Sequence, residues 1–276
     1  MSTEPDTATD LTPIRFDHGA GGWTYDWAAR KRPFLHPVAT PSGHVLTRDA
    51  PEDHPWHHGL WFTIKLVNDE NFWEEYDAYG VLRHQGRPAV EGTTVRGTLQ
   101  WIRPDRETIA VIEERSFTHV DLGPDAFAID LDTSLRPTVD TVFDRTPYTT
   151  WGGYGGLALR GPGDWADTRL LLAGGTPQER VIGEPAPWCD LSNAEAGIAL
   201  LDHPDNPRFP TPFYGSTRAA TYGDEGWSNF LNAAFLFHEP LTVAAGDELR
   251  MRHRVIVHDG AWEADRLTTA HRDWVQ

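Results

Sequence analysis

The sequence predicts an all-β fold, a large antiparallel β-sandwich with one helix at the C-terminus. Apolar and polar residues alternate with a period of two in several segments, which is typical of antiparallel strands with one buried face. Clusters of glycine and proline separate these segments and predict turns. A convincing helical period occurs only near the end of the chain. Together these patterns favour two packed sheets with a wide concave face.

The alternation is clearest in three segments, residues 93–102, 126–137 and 249–257. In the second of them, Phe127 and Ile129 begin an apolar face, and the intervening acidic side chains form a polar one. A period of two over so many residues predicts half-buried strands. Further strands are predicted at residues 108–117, 168–174 and 197–203, and from about Leu60 onward.

The helix is predicted within residues 261–276, where Ala264, Leu267, His271 and Trp274 recur at helical spacing.

Residues 228–240 are open to two interpretations. Ser228 could cap a helix there, whereas Phe235, Phe237 and the closing Pro240 fit a strand equally well. The sequence does not decide between them.

The chain contains no repeat and no linker that would divide it. We expect residues 1–13 to be a disordered lead, because they are polar and lack the basic start and apolar stretch of a secretory signal. Residues 14–276 are then expected to form a single β-sandwich domain.

The charge excludes some partners. The formal net charge of −17 argues against nucleic acid and against an anionic membrane surface, since both attract clustered Lys and Arg. No apolar run is long enough to span a bilayer. Cys189 is the only cysteine, so an intrachain disulfide is excluded and a cytoplasmic location is expected. The expected partner is a small molecule.

A histidine-rich segment is the strongest functional signal. Residues 32–62 hold five of the 13 histidines, and Pro37, Pro41, Pro51 and Pro55 keep the segment irregular. Histidine is suited to proton transfer because its pKa lies near neutrality. His54, His57 and His58 are the catalytic candidates, although adjacent side chains in an extended segment should not both line one pocket. Candidate binding residues in the same segment are Arg48, Trp56 and Trp61.

Three other segments supply further candidates. Glu75 lies in an acidic stretch beside Phe72 and Trp73, where burial would raise the pKa of a carboxyl group and suit it to act as an acid. In the glycine-rich residues 149–165, which match no nucleotide-binding pattern, Trp151 and Arg160 are candidate substrate contacts.

Residues 200–216 form a proline-rich loop that contains His203 and Arg208. His203 is expected to face the first histidine cluster across the concave sheet, and Arg208 to orient a substrate. No sequence-local metal motif occurs. A metal site of two or three histidines and a carboxylate, assembled from separate loops, remains an alternative, so the cofactor is unknown.

The ordered segments "RPFLHPVATPSGHVLTRDAPEDHPWHHGLWF", "NFWEE", "GGLALRGP" and "LLDHPDNPRFPTPFY" resemble the bacterial family labelled PmoA-like. In that family an arginine follows the paired histidines, whereas Gly59 follows them here. The methane-oxygenase meaning of the label is discarded, because those subunits are integral membrane proteins. The resemblance implies carbohydrate catabolism and a galactose-mutarotase-like sandwich that binds sugars on a concave sheet.

Residues and resemblance together predict an enzyme that acts on a sugar or an oxidised (keto) sugar derivative. The reaction would be hydrolysis, β-elimination or epimerisation by histidine acid–base chemistry, with aromatic side chains stacking on the ring. Two alternatives remain: a metal-dependent hydrolase or oxygenase that uses the histidines as ligands, and a non-catalytic sugar-binding module. The tryptophan content permits a homodimer.

Overall fold

The structure is a computed structural model that describes residues 10–147, 153–218 and 227–276. Strands dominate this part of the chain. In chain order its elements are β1 (Ile14–His18), β2 (Gly21–Asp26), β3 (Phe34–Ala39), β4 (Leu60–Ile64), β5 (Leu66–Val67), β6 (Glu70–Asn71), β7 (Val81–His84), β8 (Ala89–Glu91), β9 (Thr94–Ile102), β10 (Ile109–Asp121), β11 (Ala126–Pro137), β12 (Thr141–Asp144), β13 (Gly155–Arg160), β14 (Arg169–Leu172), β15 (Arg180–Pro185), β16 (Trp188–Ser192), β17 (Ala196–Asp202), β18 (Pro212–Ser216), β19 (Phe230–Ala233), β20 (Leu241–Val243), β21 (Leu249–Asp259) and α1 (Ala264–Val275).

Two large antiparallel sheets form a sandwich. The eight-stranded sheet has the order β1-β2-β3-β4-β13-β19-β18-β15, and the nine-stranded sheet has the order β14-β16-β17-β21-β11-β10-β9-β7, with β8 paired to β9. A third, four-stranded sheet has the order β20-β12-β5-β6 and contributes Val67 and Phe143 to the main core. The predicted all-β sandwich with a C-terminal helix is confirmed.

The main core lies between the two large sheets. Leu60, Phe62 and Ile64 of β4 point into it from one sheet, and Ile129 and Leu131 of β11 point into it from the other. This is the apolar face that the alternation in the sequence predicts. Each such side chain contributes about 1.5–3 kcal/mol when it is fully buried.

A buried polar network crosses this core. The Glu113 carboxylate accepts hydrogen bonds from Arg115 Nε (2.6 Å), Thr133 Oγ1 (2.6 Å) and Trp101 Nε1 (2.6 Å). Arg115 also donates to the carbonyl oxygen of Phe62 at 3.3 Å, so the network links the nine-stranded sheet to β4. A buried charge needs this degree of pairing to be tolerated.

Helix α1 covers part of the outer face of the nine-stranded sheet. Ala128, Ala199 and Ile256 point away from the main core and pack with Trp262 and Leu267. The helix that the C-terminal periodicity predicts is therefore confirmed, and its buried side chain is Leu267.

The outer face of the eight-stranded sheet is aromatic. Trp61, Ala158, Tyr214 and Phe230 lie on four neighbouring strands, β4, β13, β18 and β19, and form a second buried cluster. They alternate with the side chains that enter the main core, so they face the opposite way. We call this surface the aromatic face.

The other predicted strands are also present. They correspond to β4, β9, β10, β14, β17 and β21. Residues 228–240 form a short strand, β19, followed by turns, which resolves the open interpretation in favour of a strand.

Most of the expected N-terminal lead, residues 1–9, lies outside the described residues. Asp10 is described, and its carboxylate pairs with Arg87 at 2.7 Å. β1 begins at Ile14, while the single domain over 14–276 stays a prediction. No helix in the described ranges is long and apolar enough to cross a membrane.

Candidate active site

Residues 48–59, which we call the histidine loop, lead into β4 beside the end of β13. The backbone N–H of Arg48 donates to the carbonyl of Arg160 at 2.8 Å, and the N–H of Gly59 donates back to the carbonyl of Arg48 at 2.9 Å. A turn within the loop is closed by the bond from His57 N–H to the His54 carbonyl at 2.9 Å. These bonds fix the loop at the edge of the aromatic face.

Gly59 meets a steric requirement at the end of the loop. Its φ is +59°, in the left-handed region that favours glycine. A Cβ atom there would lie 2.4 Å from the carbonyl oxygen of Leu35. The arginine that follows the paired histidines in the resembled family does not fit this backbone at position 59.

Asp53, His54 and Arg160 form a charged triad at the edge of the aromatic face. The Asp53 carboxylate lies 3.0 Å from His54 Nδ1 and accepts hydrogen bonds from Arg160 NH2 at 2.8 and 3.0 Å. Burial opposes ionisation, but the hydrogen bond from His54 and the charge and hydrogen bonds of Arg160 lower the pKa of Asp53 to about 2. An ionised carboxylate that faces Nδ1 orients the imidazole and leaves Nε2 to exchange protons.

His54 is the most accessible imidazole of the loop. Its side chain is 19% exposed, against 12% for His58, and His57 is buried. The His54 ring lies edge-on to Trp56 at 5.2 Å and stacks on His57 at 4.6 Å between centroids. A substrate therefore reaches His54 more easily than either neighbour.

His57 is buried against the aromatic face. Its ring stacks on Phe230 at 5.0 Å and lies 5.2 Å from the Trp61 ring. Burial, together with the nearby charges of Arg160 and Arg32, lowers its pKa well below the usual value. His57 is a neutral imidazole at neutral pH.

His58 lies between two carboxylates. Its Nδ1 is 2.6 Å from Asp49 Oδ1 and its Nε2 is 2.9 Å from Glu75 Oε1. Burial opposes protonation, but these two hydrogen bonds raise the pKa of His58. Its ring also stacks on Phe34, a member of the aromatic cluster, at 5.0 Å. With both nitrogen atoms engaged, His58 is suited to hold the loop in place.

His57 is buried against Phe230, whereas His58 stacks on Phe34 and pairs with Glu75, so the expectation that the two do not line one pocket stays a prediction. The expectation about Glu75 is wrong. Glu75 does not have a raised pKa. Burial would raise it, but the hydrogen bond from His58 and the charge of Arg32 lower the pKa of Glu75 to about 2. Glu75 is an ionised positioning group, not an acid.

Tryptophan and tyrosine side chains form the rim and floor. Trp56 is half-buried and meets Tyr76 edge-on at 5.4 Å, and 52% of Tyr76 is exposed. Trp61 is fully buried beneath them. Arg48 is half-buried next to the triad, where its backbone pairs with β13. Trp151, the remaining predicted aromatic contact, lies outside the described residues.

His203 does not reach this face. It follows β17 in the nine-stranded sheet, and its ring meets Trp274 of α1 edge-on at 5.2 Å. Helix α1 packs on the outer face of that sheet, so His203 and the histidine loop lie on opposite sides of the sandwich. The expectation that His203 faces the loop is wrong, because β4 and β17 belong to different sheets.

The Arg208 side chain also forms its hydrogen bonds away from the histidine loop. Its guanidinium donates to the carbonyl oxygens of Phe235 (3.1 Å), Glu239 (2.5 Å) and Pro240 (2.6 Å). These bonds tie the residues after β19 to the residues before β18. Arg208 therefore acts as a structural clamp, and the structure does not bring it to the histidine loop.

Sequence reasoning missed several residues of the site. Lys31 Nζ lies 2.5 Å from Glu75, and Arg32 lies 3.4 Å from the same carboxylate and is buried. Phe230 was hidden by the ambiguous pattern of residues 228–240. The pairing of Asp53 with Arg160 spans 107 positions, so no local pattern reveals it. Within the described residues, no three His, Cys, Asp or Glu side chains are grouped as a metal site.

Comparison with known proteins gives the family. A model of DUF6807, described as a family of unknown function, matches residues 16–272. The chain belongs to the DUF6807 family. A search of curated proteins finds no match for this DUF6807 chain.

Two solved structures resemble the chain. One is a galactose mutarotase related enzyme from Lactobacillus acidophilus, with TM-score 0.46 and 10% identity, covering 91% of this chain and 99% of that chain. The other is a mutant heparan sulfate lyase from Pedobacter heparinus, with TM-score 0.37 and 9% identity, covering 91% of this chain and 32% of that chain.

Proposed function

We propose that this DUF6807 protein is a carbohydrate-active enzyme that acts on a sugar or an oxidised (keto) sugar derivative. The observation that carries the proposal is the Asp53–His54 pair, held by Arg160 at the edge of the aromatic face. An oriented imidazole beside large aromatic rings combines a proton carrier with a surface that stacks on the C–H faces of a sugar.

Each residue then has a distinct role. His54 accepts or donates the transferred proton, and Asp53 fixes its tautomer and stabilises its charged form. Trp56 positions the ring of the substrate, and the buried Trp61 supports the histidine loop through His57. The reaction would be hydrolysis, β-elimination or epimerisation, each of which needs proton transfer at a carbon atom next to a carbonyl group or at a glycosidic oxygen. General acid–base catalysis supplies about 10²–10⁴-fold of such a rate.

The other predictions from the sequence are part of this proposal. One of them is the PmoA-like assignment, which is more specific than membership of the DUF6807 family. We also propose a cytoplasmic location and a small sugar-like molecule as partner in place of nucleic acid or membrane; the single cysteine and the net charge support these, and the resemblance supports the sugar. The tryptophan content permits a homodimer.

The direct test is turnover of a panel of glycosides and keto-sugars, followed by NMR of the sugar. We expect His54→Ala to lower kcat by about 10²–10⁴-fold on the substrate that turns over. Asp53→Asn should lower kcat as well, because His54 loses the carboxylate that fixes its tautomer and stabilises its charged form. The matched control is His203→Ala, which should keep wild-type turnover because His203 packs on α1.

Wild-type turnover in His54→Ala would contradict the proposal. A ligand that binds but is unchanged after hours, with His54→Ala only weakening its affinity, would favour the sugar-binding module. A stoichiometric transition metal retained through dialysis would favour the metal-dependent alternative.

A further inference from the structure

The aromatic face and the adjoining histidine loop contain several buried hydrogen-bond donors that lack acceptors. Besides Nδ1 of His57, six buried arginine and tryptophan nitrogen atoms of this face have no hydrogen-bond partner among the described residues. They are Nε and NH1 of Arg32, Nε and NH1 of Arg160, and the indole Nε1 atoms of Trp61 and Trp73. All four side chains are at most 2% exposed. A buried donor left without an acceptor is costly, so native proteins keep few of them.

These donors belong to one contiguous surface. Arg32 NH2 donates to the carbonyl of Trp73, and the Trp73 and Trp61 rings lie 5.4 Å apart. His57 contacts both tryptophan rings, and both guanidinium groups lie close enough to lower its pKa. Arg160 lies directly across from Phe230 in the ladder between β13 and β19.

The kind of donor restricts the ligand. Arginine and tryptophan nitrogen atoms donate and cannot accept. A carboxylate brings acceptors only, which match these six donors. A sugar hydroxyl group also brings a donor, which a neutral imidazole such as His57 can accept only once. Charged acceptors also form the strongest bonds with guanidinium groups.

Both guanidinium groups are already fixed in place. Arg160 is held by Asp53 at 2.8 Å, and Arg32 lies 3.4 Å from Glu75. Since each already faces one carboxylate, little positive charge is left for a dianion such as phosphate. A singly charged carboxylate suits this balance better.

We propose that the site takes an acidic sugar whose carboxylate is bound by Arg160 and Arg32. The proposal rests on the proposed function for the sugar itself and adds the substrate class. Arg160 and Arg32 are then specificity-determining residues, and His54 stays the proton carrier.

The test is a calorimetric comparison of matched ligands on the full chain. The probes are methyl β-D-glucuronide against methyl β-D-glucoside, the corresponding galacturonide and galactoside, and glucose 6-phosphate as the phosphate source. We expect at least one uronide to bind about tenfold or more tightly than its neutral partner, the ratio that a charge-assisted bond provides. Glucose 6-phosphate should bind more weakly than that uronide.

Variants connect the preference to the two arginines. Arg160→Gln and Arg32→Gln should each reduce the uronide preference several-fold. Because Arg160→Gln leaves Asp53 without its counter-ion, Arg160→Lys provides a variant that keeps the charge, and circular dichroism checks the fold of each. The matched control is Arg254→Gln on the nine-stranded sheet, where Arg254 pairs with Asp130; it should keep the full preference.

Equal affinities within both pairs, no binding of either uronide, or a preference that survives all three arginine variants would overturn the proposal. Tighter binding of glucose 6-phosphate would overturn the carboxylate assignment. A uronide preference without turnover of any sugar would leave this inference standing and remove the proposed catalysis. Turnover of neutral sugars with no uronide preference would overturn this inference and leave the proposed catalysis standing.

Discussion

At the scale of single residues, the histidine loop places three imidazoles in three different electrostatic environments. His54 faces one ionised carboxylate, His57 is buried among aromatic rings and cations, and His58 lies between two carboxylates. Groups whose surroundings differ in this way take different roles in acid–base chemistry. We therefore assign proton transfer to His54 and a positioning role to His58.

The buried Glu113–Arg115 pair gives a residue-scale prediction about stability. Glu113→Gln should lower the free energy of unfolding by about 3 kcal/mol or more, since it leaves the Arg115 charge buried without a counter-ion. The matched control is Glu114→Gln on the opposite face of β10, where the side chain is exposed and bonds to Thr98. It should cost less than about 0.5 kcal/mol. Urea denaturation checks both, and equal effects would contradict the role of the network.

At the scale of elements, the histidine loop is held from two sides. Its backbone pairs with Arg160 at the end of β13, and His58 connects it to Glu75 after β6. Lys31, before β3, binds the other oxygen of Glu75. Separate parts of the chain thus fix the position of His54, as catalysis by a preorganised group requires.

The His58 bridge gives a prediction about pH. A raised pKa of His58 adds stability that is complete below about 6.5 and is lost as the pH rises through the raised value. The Glu75 pKa of about 2 adds stability that is present above about 4.5 and is lost as the pH falls through about 2. His58→Gln should therefore destabilise the protein by about 2 kcal/mol near pH 5.5 and by much less at alkaline pH.

Urea unfolding at pH 5.5 and pH 9 measures this difference. The exposed His44 supplies the control, because His44→Gln should leave the unfolding free energy nearly unchanged at both values. A His58→Gln variant that loses the same stability at pH 5.5 and pH 9 would contradict the bridge.

The secondary-structure elements differ in how well the sequence predicts them. Strands such as β11 and β21 have one face in the core, so burial imposes a period of two that the sequence displays. β19 has only four residues and is buried on both faces, so it carries no alternation. The turn at His54 agrees with the irregular loop that the prolines predict, but it depends on a backbone bond that the sequence does not reveal, so the orientation of each imidazole could not be predicted.

At the scale of the whole molecule, the two outer faces of the sandwich differ. Helix α1 covers part of the nine-stranded sheet, and the histidine loop lies on the eight-stranded one. The wrong prediction for His203 shows that a local sequence pattern does not reveal which residues lie close together in space. Neighbours in the sheets are often distant in the chain, as with β4 beside β13 and β17 beside β21. The residue types identified both histidine-containing segments as candidate sites. The strand order determines which face of the sandwich each segment lies on.

The most direct test is a crystal structure of the chain soaked with the sugar that it turns over or binds most tightly. The ligand should lie at the edge of the aromatic face, with its ring against Trp56 and an oxygen atom within hydrogen-bond distance of His54. A ligand bound only beside His203 and Trp274, or in the cavity of about 440 Å³ next to Trp165, would contradict the assignment of this face as the active site.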